Sequence, residues 1–187
     1  MADPHPSRSE PAGPALLTVG HGRLDEEGLG ALLQGASVEL LVDVRRFPGS
    51  RANPAVSRDA LPGWLPGLGI DYRWEERLGG RRRRDKGDQG DPWWRVEAFA
   101  AYAAHTRTPE FRDAMTELLD ELAERRVAVM CSESVWWRCH RRVIADVAVV
   151  AHGVLVRHLM HDGRLTTHEP SDGARLREDG LVVWDRA

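Results

Sequence analysis

Cysteine and lysine are what this chain has least of. Only Cys131 and Cys139 occur in 187 residues, and of the 26 basic residues only Lys86 is a lysine. Two thiols with no secretory leader do not make a disulfide framework, so each is either a small buried hydrophobe or a working thiol. No apolar run reaches membrane-spanning length, and the polar, proline-broken first residues lack the basic start and apolar stretch of a signal sequence. These absences exclude a membrane partner and predict a cytoplasmic location. The net charge of -3 excludes a surface built throughout to grip nucleic acid, while leaving room for local basic patches. Arginine in place of lysine suits bidentate binding of anions, and a bias in the source genome explains it equally well. There is no internal repeat.

What is present suffices for a sizeable core: 42% of residues are apolar and seven are tryptophan. One domain is the default at this length. Residues 1–14 hold four prolines and no apolar period, which predicts a disordered tail and leaves 15–187 as a single α/β domain. Ala15–Val19 reads as a buried strand, Leu24–Leu33 as a short helix, and Val38–Val44 as a second strand covered on both faces. Ser57–Leu68 reads as a short, proline-interrupted helix before a strand at Ile70–Trp74. Gly79–Asp91, with four glycines and the run Arg81, Arg82, Arg83 and Arg84, should be an exposed, mobile loop. Helices are expected at Trp93–His105 and Pro109–Arg125, the second capped by Thr108 with Pro109 at its first position. A strand at Val127–Met130, a loop, a helix ended by Gly153, and a strand at Val154–Met160 follow. His161–Leu165 reads as a turn and Leu181–Trp184 as a small edge strand. Alternating strands and helices predict a three-layer α/β domain, a mainly parallel sheet with helices on both faces.

Such a sheet gathers the carboxyl ends of its strands on one edge, so Gly20 and His21, Asp43 to Arg45, and Cys131 to Glu133 should converge. Residues 131–142 are the densest chemistry: both cysteines, Glu133, His140 and three arginines. Cys131, where a strand ends and a loop turns toward a helix, is a candidate nucleophile, its thiolate favoured by loop N–H groups and by Arg138, Arg141 or Arg142. A buried structural cysteine is the plain alternative. Cys139 could resolve a sulfenic acid or persulfide on Cys131, join it with His140 or His21 around a metal, or simply pack. Zinc sites usually use tighter pairs such as Cys-x-x-Cys, and no second pair exists, so no metal or other cofactor is assigned. His21, between glycines, and His140 are candidates for proton transfer, and His140 could instead only cap the loop. Glu133 and Asp43 could orient a histidine or arginine or act as acid and base, against an ordinary Asp43–arginine pair.

Arg45, Arg46, Arg51, Arg138, Arg141 and Arg142 flank this edge and suggest an anionic small molecule or nucleotide as substrate. The run Arg81 to Arg84 is most simply a solvated charge run. With Trp93 and Trp94 close behind, it could instead clamp a nucleic-acid backbone while an indole stacks on a base. Trp136 and Trp137 pose a similar choice between core and pocket wall.

Thr18-Val19-Gly20-His21-Gly22, Leu41 to Ser50, Leu78-Gly79-Gly80 and, above all, Cys131-Ser132-Glu133, five residues, then Cys139-His140-Arg141 resemble the bacterial family called domain of unknown function 488. The resemblance runs over about residues 15–160, with Gly22 where a serine is common. It implies a fold and a site that includes Ser50, without an established reaction. A weaker likeness in architecture is to rhodanese-type sulfurtransferases and the phosphatases sharing their fold, whose cysteine loop cradles an anion or persulfide. Six positions after Cys131, where that phosphatase pattern has arginine, this chain has Trp137, so sulfur transfer is an analogy of fold. Thiol chemistry on an anion is the leading expectation, with nucleic-acid binding and a metal-supported module as alternatives.

Overall fold

Strands buried on both faces pair most readily in parallel, and here five strands pair so, three of them buried throughout. The computed structural model describes residues 14–49, 53–84 and 90–186. Within it β1 (Leu16–Gly20), β2 (Leu40–Asp43) and β4 (Val127–Cys131) are buried at every residue. They lie beside β3 (Asp71–Trp74) and β5 (Val156–Leu159), with β6 (Leu165–Thr167) antiparallel at the edge, in the order β3-β2-β4-β1-β5-β6.

The pleat sends alternate side chains to opposite faces, and each face finds its own helices. Leu17, Val19, Leu41 and Met130 pack against α1 (Glu26–Gly35), through Leu29 and Leu33, and against α2 (Leu61–Trp64), through Leu61. Leu16, Val42, Val129 and Cys131 face α3 (Glu97–His105), α4 (Pro109–Glu124) and α5 (Arg141–His152). The chain therefore has the α/β fold expected of it, with helices on both faces of a mainly parallel sheet. In α4 the stripe Phe111, Met115, Leu118 and Leu122 is buried, each side chain stabilising by about 1.5–3 kcal/mol. The Thr108 hydroxyl accepts from the Phe111 N–H at 3.3 Å, and Pro109 opens the helix, as the sequence indicated.

Four details differ from the sequence expectation. The Ser57–Leu68 helix is broken into the single turn of α2 and flanking 3-10 turns at Pro54–Val56 and Leu65–Leu68, since Pro54, Pro62 and Pro66 remove amide donors. α3 starts at Glu97 rather than Trp93, because the Trp93 N–H donates instead to the Trp184 carbonyl, 3.1 Å away. The turn after β5 continues into β6, a strand too short and polar to show a period. Leu181–Trp184 does not extend the main sheet: β8 (Val182–Trp184) pairs with β7 (Ala174–Leu176) in a separate hairpin packed on α5. Of the tail expected over residues 1–14, residues 1–13 lie outside the described residues, as do 85–89 of the expected loop.

A buried polar chain ties these outer pieces together. The Asp146 carboxylate, midway along α5, accepts from His168 Nε2 at 2.8 Å, the Ser171 N–H at 2.9 Å and Trp184 Nε1 at 2.8 Å. With Nε2 donating, His168 Nδ1 accepts from His158 Nε2 at 2.9 Å, so His158 Nδ1 accepts from the Thr18 hydroxyl at 2.7 Å. Every link is buried and satisfied. Replacing Asp146→Ala orphans three buried donors, and we expect a loss of about 3 kcal/mol or more in urea unfolding, with a smaller loss for Asp146→Asn. Equal stability of Asp146→Ala and wild type would show that the chain carries no load.

Candidate functional site

Parallel pairing sets Gly20 opposite Cys131, and Asp43 opposite Met130, so the carboxyl ends of β1, β2 and β4 do meet at one rim. The same pleat then divides what they carry. Cys131 lies on the α3–α5 face with Val129, whereas Asp43 lies on the α1–α2 face with Leu41.

On the thiol face a cavity of about 360 Å³ is lined by Cys131, Glu133, Arg138, Cys139 and His140. Arg45, Arg46, Phe47, Gly80, Phe99 and Tyr102 complete much of its wall. The two sulfurs are 2.6 Å apart, with Cys131 1% and Cys139 4% exposed. His140 Nε2 donates to the Val44 carbonyl at 3.0 Å, which leaves Nδ1 as an acceptor 3.6 Å from the Cys139 sulfur. The Arg141 N–H, at the start of α5, donates to that same sulfur at 3.4 Å.

Arg141 supplies the charge. Its side chain is 1% exposed, and one guanidinium nitrogen donates to the Glu133 carbonyl at 2.5 Å. The guanidinium charge acts on both sulfurs. Among the described residues it has no carboxylate partner, and its Nε is buried without any partner. Burial, the Cys139 contact and the negative charge beside it push the Cys131 thiol well up. Burial also opposes a charge on Cys139, but hydrogen bonding from Cys131, His140 and the Arg141 charge together bring that thiol well below its ordinary range. The sequence reading gave the nucleophile to Cys131; the contacts of Cys139 with Cys131, His140 Nδ1 and the Arg141 N–H favour negative charge on Cys139, with Cys131 as its donor.

The opposite face holds a closed ion-pair knot. Arg45 donates to both Asp43 carboxylate oxygens, at 2.7 and 2.5 Å, to the Val56 carbonyl at 2.7 Å, and to His21 Nε2 at 3.2 Å. Four of its five N–H groups are thereby spent. Tyr72 donates to Asp43 at 2.9 Å, and His21 Nδ1 meets the Gly22 carbonyl at 3.1 Å. Both nitrogens of His21 are therefore engaged, and burial and the Arg45 charge lower its pKa to about 4. His21, read as a candidate proton carrier, is held as a neutral acceptor, and Asp43 takes the ordinary structural pairing.

The remaining candidates separate. Arg46 and the exposed Arg138 and Glu133 reach the thiol cavity, Arg46 also donating to the Arg81 carbonyl at 2.9 Å. Arg142 faces away, bonded to Ser171 at 3.0 Å and lying over Trp93 and Trp94, and Trp137 lines that second hollow with it. Trp136 stacks on His158 at 4.0 Å, which anchors the loop to the buried polar chain. Ser50 and Arg51 lie outside the described residues. In the arginine run, Arg82 donates to the carbonyls of Gly79 and Glu76, and Arg84 to that of Gly90, while Arg81 and Arg83 are exposed. Sequence reasoning missed Phe47, Phe99 and Tyr102. The i, i+4 pair Ala98 and Tyr102 on α3 was the available signal for that wall, and it resembled ordinary core spacing.

Cys131, Cys139 and His140 offer three donor atoms within 4.8 Å of one another, a set that suits a soft ion. The buried Arg141 guanidinium already supplies positive charge beside both sulfurs, which works against a dication there.

The family model for Domain of unknown function DUF488 matches residues 26–148, which include β2, β4, the thiol loop and most of α5. The chain belongs to this DUF488 family. No curated protein and no solved structure matches it, so the likeness to rhodanese-type domains gains no support. Of the DUF488 chain's described residues, no helix is long and apolar enough to cross a membrane.

A pH dependence follows from two histidines. His158, whose pKa burial and its histidine neighbour lower to about 3, and His21, at about 4, bind protons more readily unfolded than folded. Their contribution to stability is complete above the unfolded value of about 6.5 and is lost as pH falls from there toward 3–4. We expect the urea midpoint to drop between pH 7 and pH 4.5 and His21→Gln to flatten that drop; an unchanged slope in the variant would contradict the assignment.

Proposed function

We propose that the chain is a cysteine-dependent enzyme acting on an anionic small molecule or nucleotide, by sulfur transfer or related thiol chemistry. The observation that carries this reading is a guanidinium sealed from water, without a carboxylate among the described residues, beside two thiols in a cavity wall. A buried cation costs several kcal/mol unless an anion balances it, and the anion at hand is the Cys139 thiolate. Arg46 and Arg138 supply further positive charge at the cavity.

In this mechanism the Cys139 proton passes to Nδ1 of His140, whose tautomer the Val44 carbonyl holds. The thiolate attacks the electrophilic atom of the bound substrate, its electron pair forming the new bond while the leaving group departs with its own pair and recovers the proton from His140. If the transferred atom is sulfur, the product is a persulfide on Cys139. Attack by the Cys131 thiol on that persulfide forms the Cys131–Cys139 disulfide and releases hydrogen sulfide, which balances atoms and charge. The substrate's anionic group rests against the arginines.

Iodoacetamide labelling against pH, read by peptide mapping, tests the reading. Cys139 should alkylate before Cys131, with an apparent pKa below the value of about 8.5 for free cysteine. Arg141→Met, and the more conservative His140→Gln, should each slow labelling at neutral pH by about tenfold. Thiols no faster than free cysteine, or a Cys131 that reacts first, would sink the mechanism.

A further inference from the structure

We propose that a strip of surface crossing the thiol cavity binds single-stranded nucleic acid and offers one nucleotide of the strand to the cavity; this rests on the thiol-enzyme reading and supplies its substrate class. The strip is made of three adjoining hollows. On one side of the cavity, a groove of about 670 Å³ lined by Arg82 and Arg83 shares Arg46, Phe47 and Arg81 with it. On the other side a hollow of about 820 Å³, lined by Trp93, Arg95, Val96 and Trp137, shares Phe99 with it.

Two independent features mark this strip. Among the described residues four large hydrophobic side chains are left exposed, and three lie along it: Phe47 at 63%, Val96 at 57% and Trp137 at 46%. Apolar side chains held in water along a concave path mark a binding surface rather than a scattered residue. The charge pattern is equally uneven. Arg73, Arg77, Arg125 and Arg175, elsewhere, each hold a carboxylate, whereas Arg81, Arg83, Arg95, Arg138 and Arg186 along the strip hold none among the described residues. Of the acids near the strip among the described residues, Glu76 and Glu110 act on Arg82, Asp185 is taken by Arg175 at 2.7 Å, Glu97 lies 3.8 Å from Arg84, and Glu133 is exposed at the cavity.

Cations alternating with ring faces are what a single strand needs, its phosphates on guanidinium groups and its bases stacked on aromatic side chains. Arg46 and Arg81 both lie over Phe47, at 5.5 and 5.9 Å, and hold that ring at the cavity mouth. A duplex hides its base faces within the stack and would leave Phe47 and Trp137 without partners. A free nucleotide would fill only the cavity and use neither flank. The overall charge of -3 conceals the strip, because many of the acids, such as Glu75, Glu117 and Asp71, are paired elsewhere.

Fluorescence anisotropy of a fluorescein-labelled oligodeoxythymidine strand with the full chain tests the strip. Binding should weaken steeply with salt, and Arg81→Ala with Arg83→Ala together should lower the slope of log affinity against log salt by about 1.4. Phe47→Ala and Trp137→Ala, both at exposed positions, should each weaken binding by about fivefold to a hundredfold, while Leu176→Ala binds as wild type. The proposal is overturned by no binding at low salt, by binding indifferent to both aromatic variants, or by duplex or thymidine monophosphate competing as well as the strand. Alkylation of Cys139 is scored separately. Reactive thiols without strand binding remove the strip alone, and strand binding with inert thiols removes the enzyme and its use of the nucleotide.

Discussion

A positive charge sealed from water beside two sulfurs is the constraint on which this site turns. Arg141 has carbonyl oxygens and thiols around it, so neutralisation has to come from a thiolate or a bound anion. The backbone is shaped to permit this. A Cβ on Gly20 would lie 1.8 Å from the Glu133 carbonyl oxygen and 2.7 Å from the Arg141 guanidinium, so only glycine at the end of β1 lets the thiol loop fold back over the sheet. At the outer wall Gly80 packs closely too, where a Cβ would lie 3.0 Å from His140 Nδ1.

The site is layered by the pleat of the sheet. One face carries the cavity with Cys131, Cys139 and His140, the other carries the Asp43, Arg45, His21 and Tyr72 knot, and Arg45 reaches from the second to the wall of the first. A bidentate buried ion pair with a third carbonyl acceptor is rigid, so the knot acts as a foundation for the rim rather than as reacting groups. Beneath the loop, the stack of Trp136 on His158 passes the loop's position into the Thr18, His158, His168 and Asp146 chain, and so to α5 and the β7–β8 hairpin. The region matched to DUF488 ends at 148, inside α5, while His158, His168 and Trp184 follow it.

Much of the fold was legible because its strands are short apolar runs between turn residues and because α4 repeats its buried positions at helical spacing with a cap and proline in front. Pieces whose pairing is decided by distant partners were not. β6 and β7 are three residues each and carry no pattern of their own, and the start of α3 was set by a carbonyl of Trp184, some ninety positions away in order of magnitude along the chain.

The amino-acid order alone determined that the two thiols, a histidine and an arginine share one loop between a strand and a helix, and that three strand ends face one rim, since both follow from local pattern and parallel connectivity. That the two sulfurs touch, that His21 is bound up with Arg45, and that Phe47 lines the thiol cavity while Trp137 lines the adjoining hollow were decided only in three dimensions. Desolvation, side-chain direction and the closing of hydrogen bonds between remote residues depend on what surrounds each atom, and a linear pattern holds no record of that.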